Sequence, residues 1–245
     1  MQELSGRVAL VTSGGRGLGA AIALALAEAG AAVAVLEHDT CDLTGVVALI
    51  QSQGGRAFGA TGSLNDLASV NDAIETIIEI LGPIDILVNN AATATPFAQV
   101  DDAHPQEWAN AIAINLIGAF YCTHAILADM LSAGWGRIIN ISSDAATIAR
   151  PALSAYSVSK AGLDHFTRSL AVELEHTGIA AITVYPGVAE TPLADQQRPN
   201  AVTEAATLIR WLCGPEGDAY RGQVADSSDS ALREHAGLPS LETLT

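Results

Sequence analysis

The chain is poor in the residues that build disulfide frameworks and metal centres. Its 245 residues include three cysteines, at positions 41, 122 and 213, an odd number at wide spacing. Cysteines in this pattern are typical of reduced, buried thiols inside the cell, so we expect a cytoplasmic protein. The six histidines lack the spacing of metal ligands, and we expect no metal site.

Positive charge is scarce as well. Eleven Lys and Arg residues stand against 27 Asp and Glu residues, which gives a formal net charge of −16. A field of this sign repels nucleic acid and anionic membrane surfaces, and no basic cluster offsets it. We therefore expect a small-molecule partner, and neither a nucleic acid nor a membrane.

Long hydrophobic runs are missing too. The runs 22–29 and 112–119 are much shorter than the roughly 20 residues that a membrane-spanning helix needs. The first residues carry neither the basic region nor the apolar stretch of a signal peptide, so we expect none. With 49% apolar and 16% charged residues, the composition indicates a globular protein with a well-buried core.

Short β-rich runs alternate with longer helical stretches along the chain. This alternation, with apolar strands covered on both faces, predicts an α/β fold: a doubly wound parallel sheet in three α/β/α layers, as a single domain over 1–245. The predicted strands are 8–12, 32–36, 56–60, 84–88, 137–141, 180–184 and 222–225, and the predicted helices are 20–29, 42–52, 67–81, 105–131, 155–175 and 203–212.

A glycine-rich turn follows the first predicted strand and precedes a helical stretch. From Thr12 to Gly19 it reads Thr-Ser-Gly-Gly-Arg-Gly-Leu-Gly. Glycines let the backbone approach a pyrophosphate, whose charge is met by the amides of the following helix N-terminus. A plain glycine-rich turn is the alternative, but the order of strand, turn and helix favours a nucleotide site.

The end of the second strand bears on the choice of nucleotide. Glu37 lies 18 residues beyond Gly19, where a carboxylate accepts hydrogen bonds from ribose hydroxyls and repels a 2′-phosphate. Arg16 acts in the opposite direction, because a guanidinium there would bind that phosphate. We expect NAD as the cofactor, and NADP is the alternative.

Tyr156 and Lys160 are the candidate acid/base pair. They are four residues apart, so on a helix they share one face and the ammonium lies within reach of the phenol. A cation there lowers the pKa of a tyrosine from about 10 towards neutral pH. Such a tyrosine can donate or accept a proton at working pH. A solvated helix face is the alternative for the pair taken alone.

Together these motifs resemble the classical short-chain dehydrogenase/reductase family, over nearly the whole chain to about residue 225. The family's Thr-Gly-x-x-x-Gly-x-Gly turn corresponds to 12–19, and its Asn-Asn-Ala-Gly segment to 89–92. Its active-site serine corresponds to Ser143, thirteen residues before Tyr156, and its mid-helix asparagine to Asn115. Its Pro-Gly-x-x-x-Thr segment corresponds to 186–191.

The resemblance implies a Rossmann-type fold, with residues 1–90 mainly as the cofactor half and 91–245 as the catalytic and substrate half. It implies an NAD(P)-dependent oxidoreductase that interconverts a small ketone and a secondary alcohol. Ser143 and Tyr156 would hold the substrate oxygen, and Tyr156 would pass the proton. Lys160 would also hold the nicotinamide ribose, and Asn115 would anchor a water linking Lys160 to solvent. The implied cofactor-binding residues are Gly14, Arg16, Gly17, Leu18, Gly19, Glu37, Ser63, Leu64, Asn90, Ala91, Tyr156, Lys160, Pro186, Gly187, Val188 and Thr191, and the implied substrate-lining residues are Thr93, Asp144 and Leu153.

The chain departs from the family pattern at several positions. Ser13 replaces the first glycine of the turn, Ala92 the glycine after the double asparagine, and Ser63 the aspartate that contacts adenine. The tail beyond residue 222 lacks the usual closing Gly-Gly. The segment 192–202, where the family folds a substrate-covering helix pair, is short.

Two other functions of the same fold are the alternatives. A halohydrin dehalogenase carries arginine four residues after the tyrosine and lacks the nucleotide glycines, whereas this chain has Lys160 and Gly17. A cofactor-sensing binding protein without catalysis usually loses the tyrosine or the lysine, and both are present here.

The family also implies a homotetramer, or a homodimer, paired through the helices 105–131 and 153–177. Carrier-protein reductases of the family dock their acidic partner through basic residues on these helices. Here the helices carry Asp129, Glu173 and Glu175 with little positive charge nearby, so we expect a free small substrate. The residues expected to bury the interface, or else to face the sheet, are Ala109, Ala113, Ile117, Phe120 and Ala171.

Overall fold

The protein forms a seven-stranded parallel sheet, as seen in a computed structural model that describes residues 3–39, 43–187 and 200–241. The strands are β1 Val8–Thr12, β2 Ala32–Glu37, β3 Ala57–Thr61, β4 Ile86–Asn89, β5 Gly136–Ile141, β6 Ile179–Tyr185 and β7 Val224–Asp226. Their order in the sheet is β3-β2-β1-β4-β5-β6-β7.

Helices cover both faces of this sheet, which confirms the predicted three-layer, doubly wound α/β fold. The helices are α1 Gly17–Glu28, α2 Leu43–Ser52, α3 Leu67–Leu81, α4 Pro105–Ile112, α5 Gly118–Ala133, α6 Ser154–Glu173, α7 Ala201–Leu212 and α8 Ser230–His235. Side chains alternate along β1, so that Ala9 and Val11 enter one core, with α1, α2, α7 and α8, while Val8 and Leu10 enter the other, with α3, α5 and α6.

The position of the site follows from the strand order. The chain runs outward from β1 through β2 to β3 and then returns to β4 on the other side of β1. The connections after β1 and β4 therefore diverge and leave a crevice beyond the carboxyl ends of these strands. Ligands of doubly wound sheets bind in such a crevice.

The long predicted helix 105–131 is interrupted. α4 ends at Ile112, a π turn spans Ala113–Ile117, and α5 then continues to Ala133. The spacing of apolar residues does not reveal one extra residue in a helical turn, so the sequence predicted an unbroken helix. Gly134, with φ of 65°, supplies the left-handed residue that ends α5.

Among the described residues, the stretch Pro105–Ala133 is long and apolar enough to cross a membrane by length and composition. Its contacts are those of a core helix. Cys122, Ile126 and Met130 are buried in the core against the sheet.

One residue expected at a subunit interface lies elsewhere. Ala171 is buried and packs towards Gly222 of its own chain, where an added Cβ would come within 3.0 Å of the Ala171 Cβ. This is the alternative in which the residue faces its own sheet. Ala109, Ile117 and Phe120 are exposed and Ala113 is half-buried.

Candidate active site

The glycine turn between β1 and α1 depends on close backbone approach. A Cβ on Gly19 would lie 2.0 Å from the Ser13 carbonyl oxygen and 2.6 Å from Asn90 Nδ2, so no other residue fits without movement. Ser13 and Gly17 have positive φ, of 48° and 53°. Ser13, which replaces a family glycine, therefore adopts the left-handed conformation that a glycine would allow.

Asn90 and Thr12 tie this turn to the end of β4. The Asn90 side chain donates to the carbonyl oxygens of Thr12 and Ser13, at 3.0 and 3.1 Å. The Thr12 hydroxyl accepts from the backbone amides of Asn90 and Ala91, at 3.0 Å each. The turn is therefore held rigidly across the switch point of the sheet.

The residues at this turn fit a dinucleotide. Arg16, just before α1, has extended backbone and no side-chain capping bond, and the first turn of α1 contains no acidic residue. The amides at the start of α1 thus lack the side-chain acceptor that caps most helices, and an anion would supply one. Glu37, buried at the end of β2, accepts from the Gly15 amide at 2.8 Å. Its carboxylate is thereby held beside the turn.

Tyr156 and Lys160 lie on one face of α6. The Lys160 Nζ is 5.5 Å from the centre of the Tyr156 ring, and the lysine is 2% exposed. Its ammonium donates to the Ile141 carbonyl at 2.6 Å, two residues before Ser143. A buried cation therefore lies beneath the tyrosine at the carboxyl end of β5, as the four-residue spacing predicts.

Asn115 lies in the π turn and joins three segments of the site. Its side chain accepts from the Thr93 amide at 2.8 Å and donates to the Thr93 carbonyl at 2.9 Å. It also donates to the Ser159 hydroxyl at 2.9 Å, which in turn donates to the Tyr156 carbonyl at 2.7 Å. Asn115 thus connects the loop after β4 to the helix that carries Tyr156, and π turns often mark functional positions.

The two neighbouring serines point in different directions, as strand alternation predicts. Ser142 is buried and its hydroxyl donates to the Lys160 carbonyl at 3.4 Å. Ser143 is half-buried, accepts from the Ala145 amide at 3.2 Å and donates to Asp144 Oδ1 at 3.1 Å. Of the two, Ser143 is the one available to a substrate.

Asp144 forms a bidentate ion pair with Arg150. The guanidinium nitrogens are 3.0 and 2.6 Å from the two carboxylate oxygens, and both side chains are exposed. The pKa of Asp144 lies below its ordinary value, chiefly because of the hydrogen bond from Arg150 and further because of that from Ser143. The pKa of Arg150 is raised, mostly by Asp144 and to a smaller degree by Tyr156 nearby.

The remaining predicted residues lie around these groups. The Ser63 hydroxyl, beyond β3, donates to Asn65 Oδ1 at 2.7 Å, and Leu64 packs so closely on Gly118 that a Cβ there would be 2.8 Å away. Leu153 precedes α6 and its carbonyl accepts from the Ser157 amide. Pro186 and Gly187 follow β6, whereas Val188 and Thr191 lie outside the described residues.

Two buried networks escaped the sequence analysis. Asn89, Asn140 and Thr167 link β4, β5 and α6 through hydrogen bonds of 2.8 Å each. The Tyr185 hydroxyl donates to Asp164, one turn beyond Lys160 on α6, and so connects the end of β6 to α6. Polar residues inside apolar strands were the available signal, although their partners are far away in sequence.

The family is shown by comparison with known proteins. The model of the short chain dehydrogenase family matches residues 7–201. The chain is 40% identical to galactitol 2-dehydrogenase of Rhizobium johnstonii over 78% of this chain and 75% of that protein. The chain therefore belongs to the short-chain dehydrogenase/reductase family, whose members of this kind are oxidoreductases acting on CH–OH donors with NAD(P).

Solved structures agree with this assignment. A gluconate 5-dehydrogenase from Burkholderia cenocepacia in complex with NADP and tartrate superposes with a TM-score of 0.82 at 28% identity, covering 95% of this chain and 97% of that one. An NAD+-bound xylitol dehydrogenase superposes with a TM-score of 0.84 at 25% identity, covering 91% and 98%. A nicotinamide cofactor is thus common to these neighbours, in either of its two forms.

Proposed function

We propose that this protein interconverts a small ketone and a secondary alcohol, with Tyr156 as the acid/base. The observation that carries the proposal is the buried Lys160 ammonium beneath the Tyr156 ring. A buried cation favours the phenolate, which makes proton exchange possible near neutral pH. Both groups are retained, which separates this reading from a cofactor-sensing protein without catalysis.

Each nearby side chain has a part in this reaction. The hydroxyls of Ser143 and Tyr156 hold the substrate oxygen, and Tyr156 gives it a proton or takes one from it. Lys160 stabilises the charge on Tyr156 and holds the nicotinamide ribose. A bound nicotinamide supplies or accepts the hydride. Asn115 connects the loop after β4, which contains Thr93, to α6. We retain the prediction that Asn115 anchors a water on the path from Lys160 to solvent.

We further propose NAD as the preferred cofactor. The Glu37 carboxylate is held beside the glycine turn by the Gly15 amide, at 2.8 Å. There it would accept hydrogen bonds from adenosine ribose hydroxyls and repel a 2′-phosphate. Arg16 lies on the same turn and is the group through which NADP would compete.

The proposed assembly is a homotetramer, with a homodimer as the alternative, of single-domain subunits in the cell interior. Ile117, just before α5, and Phe120 of α5 are 38% and 46% exposed. Val158 and Val172 of α6 are 52% and 73% exposed. Exposed apolar side chains along two adjacent helices suit an isologous contact. The buried thiols of Cys122 and Cys213 are consistent with a reducing compartment.

Replacement of Tyr156 by phenylalanine tests the function. Tyr156→Phe should remove nearly all turnover of ketones with NADH and leave NADH binding close to normal, because only the proton donor is lost. Tyr121→Phe, on α5, is the matched control and should keep full activity. A residual rate above about one tenth of wild type, about 1.4 kcal/mol of barrier, would contradict the assignment.

The chain offers a second readout that does not depend on turnover. Lys160 is its one lysine, so lysine labelled with ¹³C at Cε or with ¹⁵N at Nζ gives a single side-chain NMR signal. That signal should shift when NAD⁺ is added to wild type and also to Tyr156→Phe. A wild type that binds NADH without turning over any ketone or alcohol would instead favour the cofactor-sensing function.

A further inference from the structure

The mouth of the site contains a connected chain of three polar side chains. Ser143 donates its hydroxyl proton to Asp144 Oδ1, at 3.1 Å, and Arg150 holds both oxygens of Asp144. The side chains of Asp144 and Arg150 are 52% and 41% exposed, so a substrate can reach them. The catalytic serine is therefore already engaged by a fixed carboxylate.

The hydrogen bond between Ser143 and Asp144 must break when a substrate carbonyl binds. In the proposed function Ser143 donates to the substrate oxygen, so its proton must turn away from Asp144. The carboxylate then loses one of its donors. A plain ketone offers nothing in return, whereas a ketone with a neighbouring hydroxyl can donate to Asp144 in place of Ser143.

We propose that Asp144 selects substrates that carry a hydroxyl on the carbon next to the reacting one, which makes vicinal diols and α-hydroxy ketones the preferred class. This inference rests on the proposed function, because it assumes that Ser143 binds the reacting oxygen. Asp144 is then a specificity-determining residue that touches the substrate but takes no part in the proton transfer.

The spacing of the Ser143 hydroxyl, which donates, and the Asp144 carboxylate, which accepts, matches this class. Ser143 Oγ and Asp144 Oδ1 are 3.1 Å apart. The two oxygens of a gauche vicinal diol stand about one hydrogen-bond length apart. The reacting oxygen can therefore bind Ser143 while its neighbour donates to Asp144, and no bond of the carboxylate is lost.

Arg150 makes Asp144 suitable for this task. Its two hydrogen bonds fix the orientation of the carboxylate and keep it ionised, so that it only accepts hydrogen bonds. The pair is neutral as a whole, within a chain of net charge −16, and offers no excess positive charge to a substrate carboxylate. A hydroxy acid bound by Arg150 is the competing possibility, and the experiment below separates the two.

The test compares substrates that differ by one hydroxyl. kcat/KM is measured with NADH for acetoin and 2-butanone, and with NAD⁺ for 2,3-butanediol, 2-butanol and 3-hydroxybutyrate. Wild type should prefer acetoin to 2-butanone by about ten- to a hundredfold, because a hydrogen bond to a charged group is at stake. Asp144→Ala should narrow the ratio of kcat/KM for acetoin to that for 2-butanone to within about threefold, because it removes both the acceptor for the substrate hydroxyl and the hydrogen bond that 2-butanone must break.

Asp72→Ala, an exposed carboxylate on α3, is the matched control for loss of one charge and should preserve the preference for acetoin. Equal use of both ketones by wild type, equal loss on both in Asp144→Ala, or a preference for 3-hydroxybutyrate over 2,3-butanediol would overturn the inference and leave the proposed function standing. A wild type that binds NADH but turns over none of the five compounds would overturn both.

Discussion

Gly19→Ala is the substitution whose effect the structure defines most sharply. The new Cβ would lie 2.0 Å from the Ser13 carbonyl oxygen and 2.6 Å from Asn90 Nδ2. Real contacts of this kind are not found below 3.0 Å, so Ser13 and the methyl group must separate by about 1 Å. The neighbour is backbone, which cannot rotate away as a flexible side chain can.

The magnitude follows from three contributions. Overpacking against a rigid neighbour costs about 1–3 kcal/mol. The hydrogen bond from Asn90 to Ser13 is lost or weakened, which costs about 1 kcal/mol more. Alanine returns up to about 1 kcal/mol through its helix propensity, since Gly19 lies in α1. The free energy of unfolding should therefore fall by about 1–4 kcal/mol, which lowers Tm by roughly 2–16 °C in a protein of this size.

Cofactor affinity should fall as well, because the displaced turn moves the amides at the start of α1. We expect the Kd for NADH to rise about tenfold or more, which corresponds to at least about 1.4 kcal/mol. Fluorescence titration measures the affinity, and thermal unfolding without cofactor measures the stability. The two losses together indicate a shifted turn rather than a general weakening of the fold.

Two other glycines serve as controls. Gly17→Ala has open space around the new methyl group but retains φ of 53°, so it measures left-handed strain without a clash, about 1 kcal/mol. Gly45→Ala, at an exposed position of α2 with no neighbour within 4 Å, should stabilise the protein by about 0.5–1 kcal/mol. If Gly19→Ala unfolds within about 2 °C of wild type and binds NADH with unchanged Kd, the close approach seen here is not required.

Three further predictions concern the site and the assembly. Ser143→Ala should lower kcat strongly. Ser142→Ala loses only a buried hydrogen bond to the Lys160 carbonyl, so it should cost about 1 kcal/mol of stability and little activity. An equal loss of kcat in the two variants would show that the serines are wrongly assigned. Wild type should show a higher kcat/KM with NAD than with NADP, and Glu37→Gln should narrow that ratio; better use of NADP by wild type would refute this role. Light scattering of the wild type should give a mass of about four times 25.1 kDa, and Phe120→Glu should reduce that mass. Leu49→Glu on α2 is the control and should leave the mass unchanged. A wild-type protein that is monomeric and active would refute the tetramer.

The sequence by itself determined the order of the strands and the longer helices, and it predicted most of the residues that the structure brings together at the candidate site. Strands and helices have short periods of two and 3.6 residues, so a local run of apolar residues is enough to identify them. The spacing of Tyr156 and Lys160 is likewise local, because one helical turn brings them together. The alternation along the end of β5 correctly separated Ser142, which is buried, from Ser143.

Element boundaries and small irregularities depended on more than the local pattern. The π turn at Ala113–Ile117 inserts one residue into a helix of unchanged apolar period, and it places Asn115 against Thr93 and Ser159. α8 was not predicted, since its six residues are too few for a hydrophobic period to be recognised. A contact between residues distant in sequence holds this helix in place: Arg233 of α8 donates a hydrogen bond to Glu204 of α7, 29 residues away, at 2.8 Å.

Only the tertiary structure decided which polar groups meet. Arg150 lies six residues beyond Asp144 in the loop after β5, and its two hydrogen bonds to that carboxylate depend on the fold of the loop, which no strand or helix period encodes. Ala171 shares a helix with exposed apolar residues, yet it is buried and packs close to Gly222, 51 residues further along the chain. A contact like that of Ala171 is set by the packing of elements far apart in the chain, and local period carries no information about which elements will be neighbours.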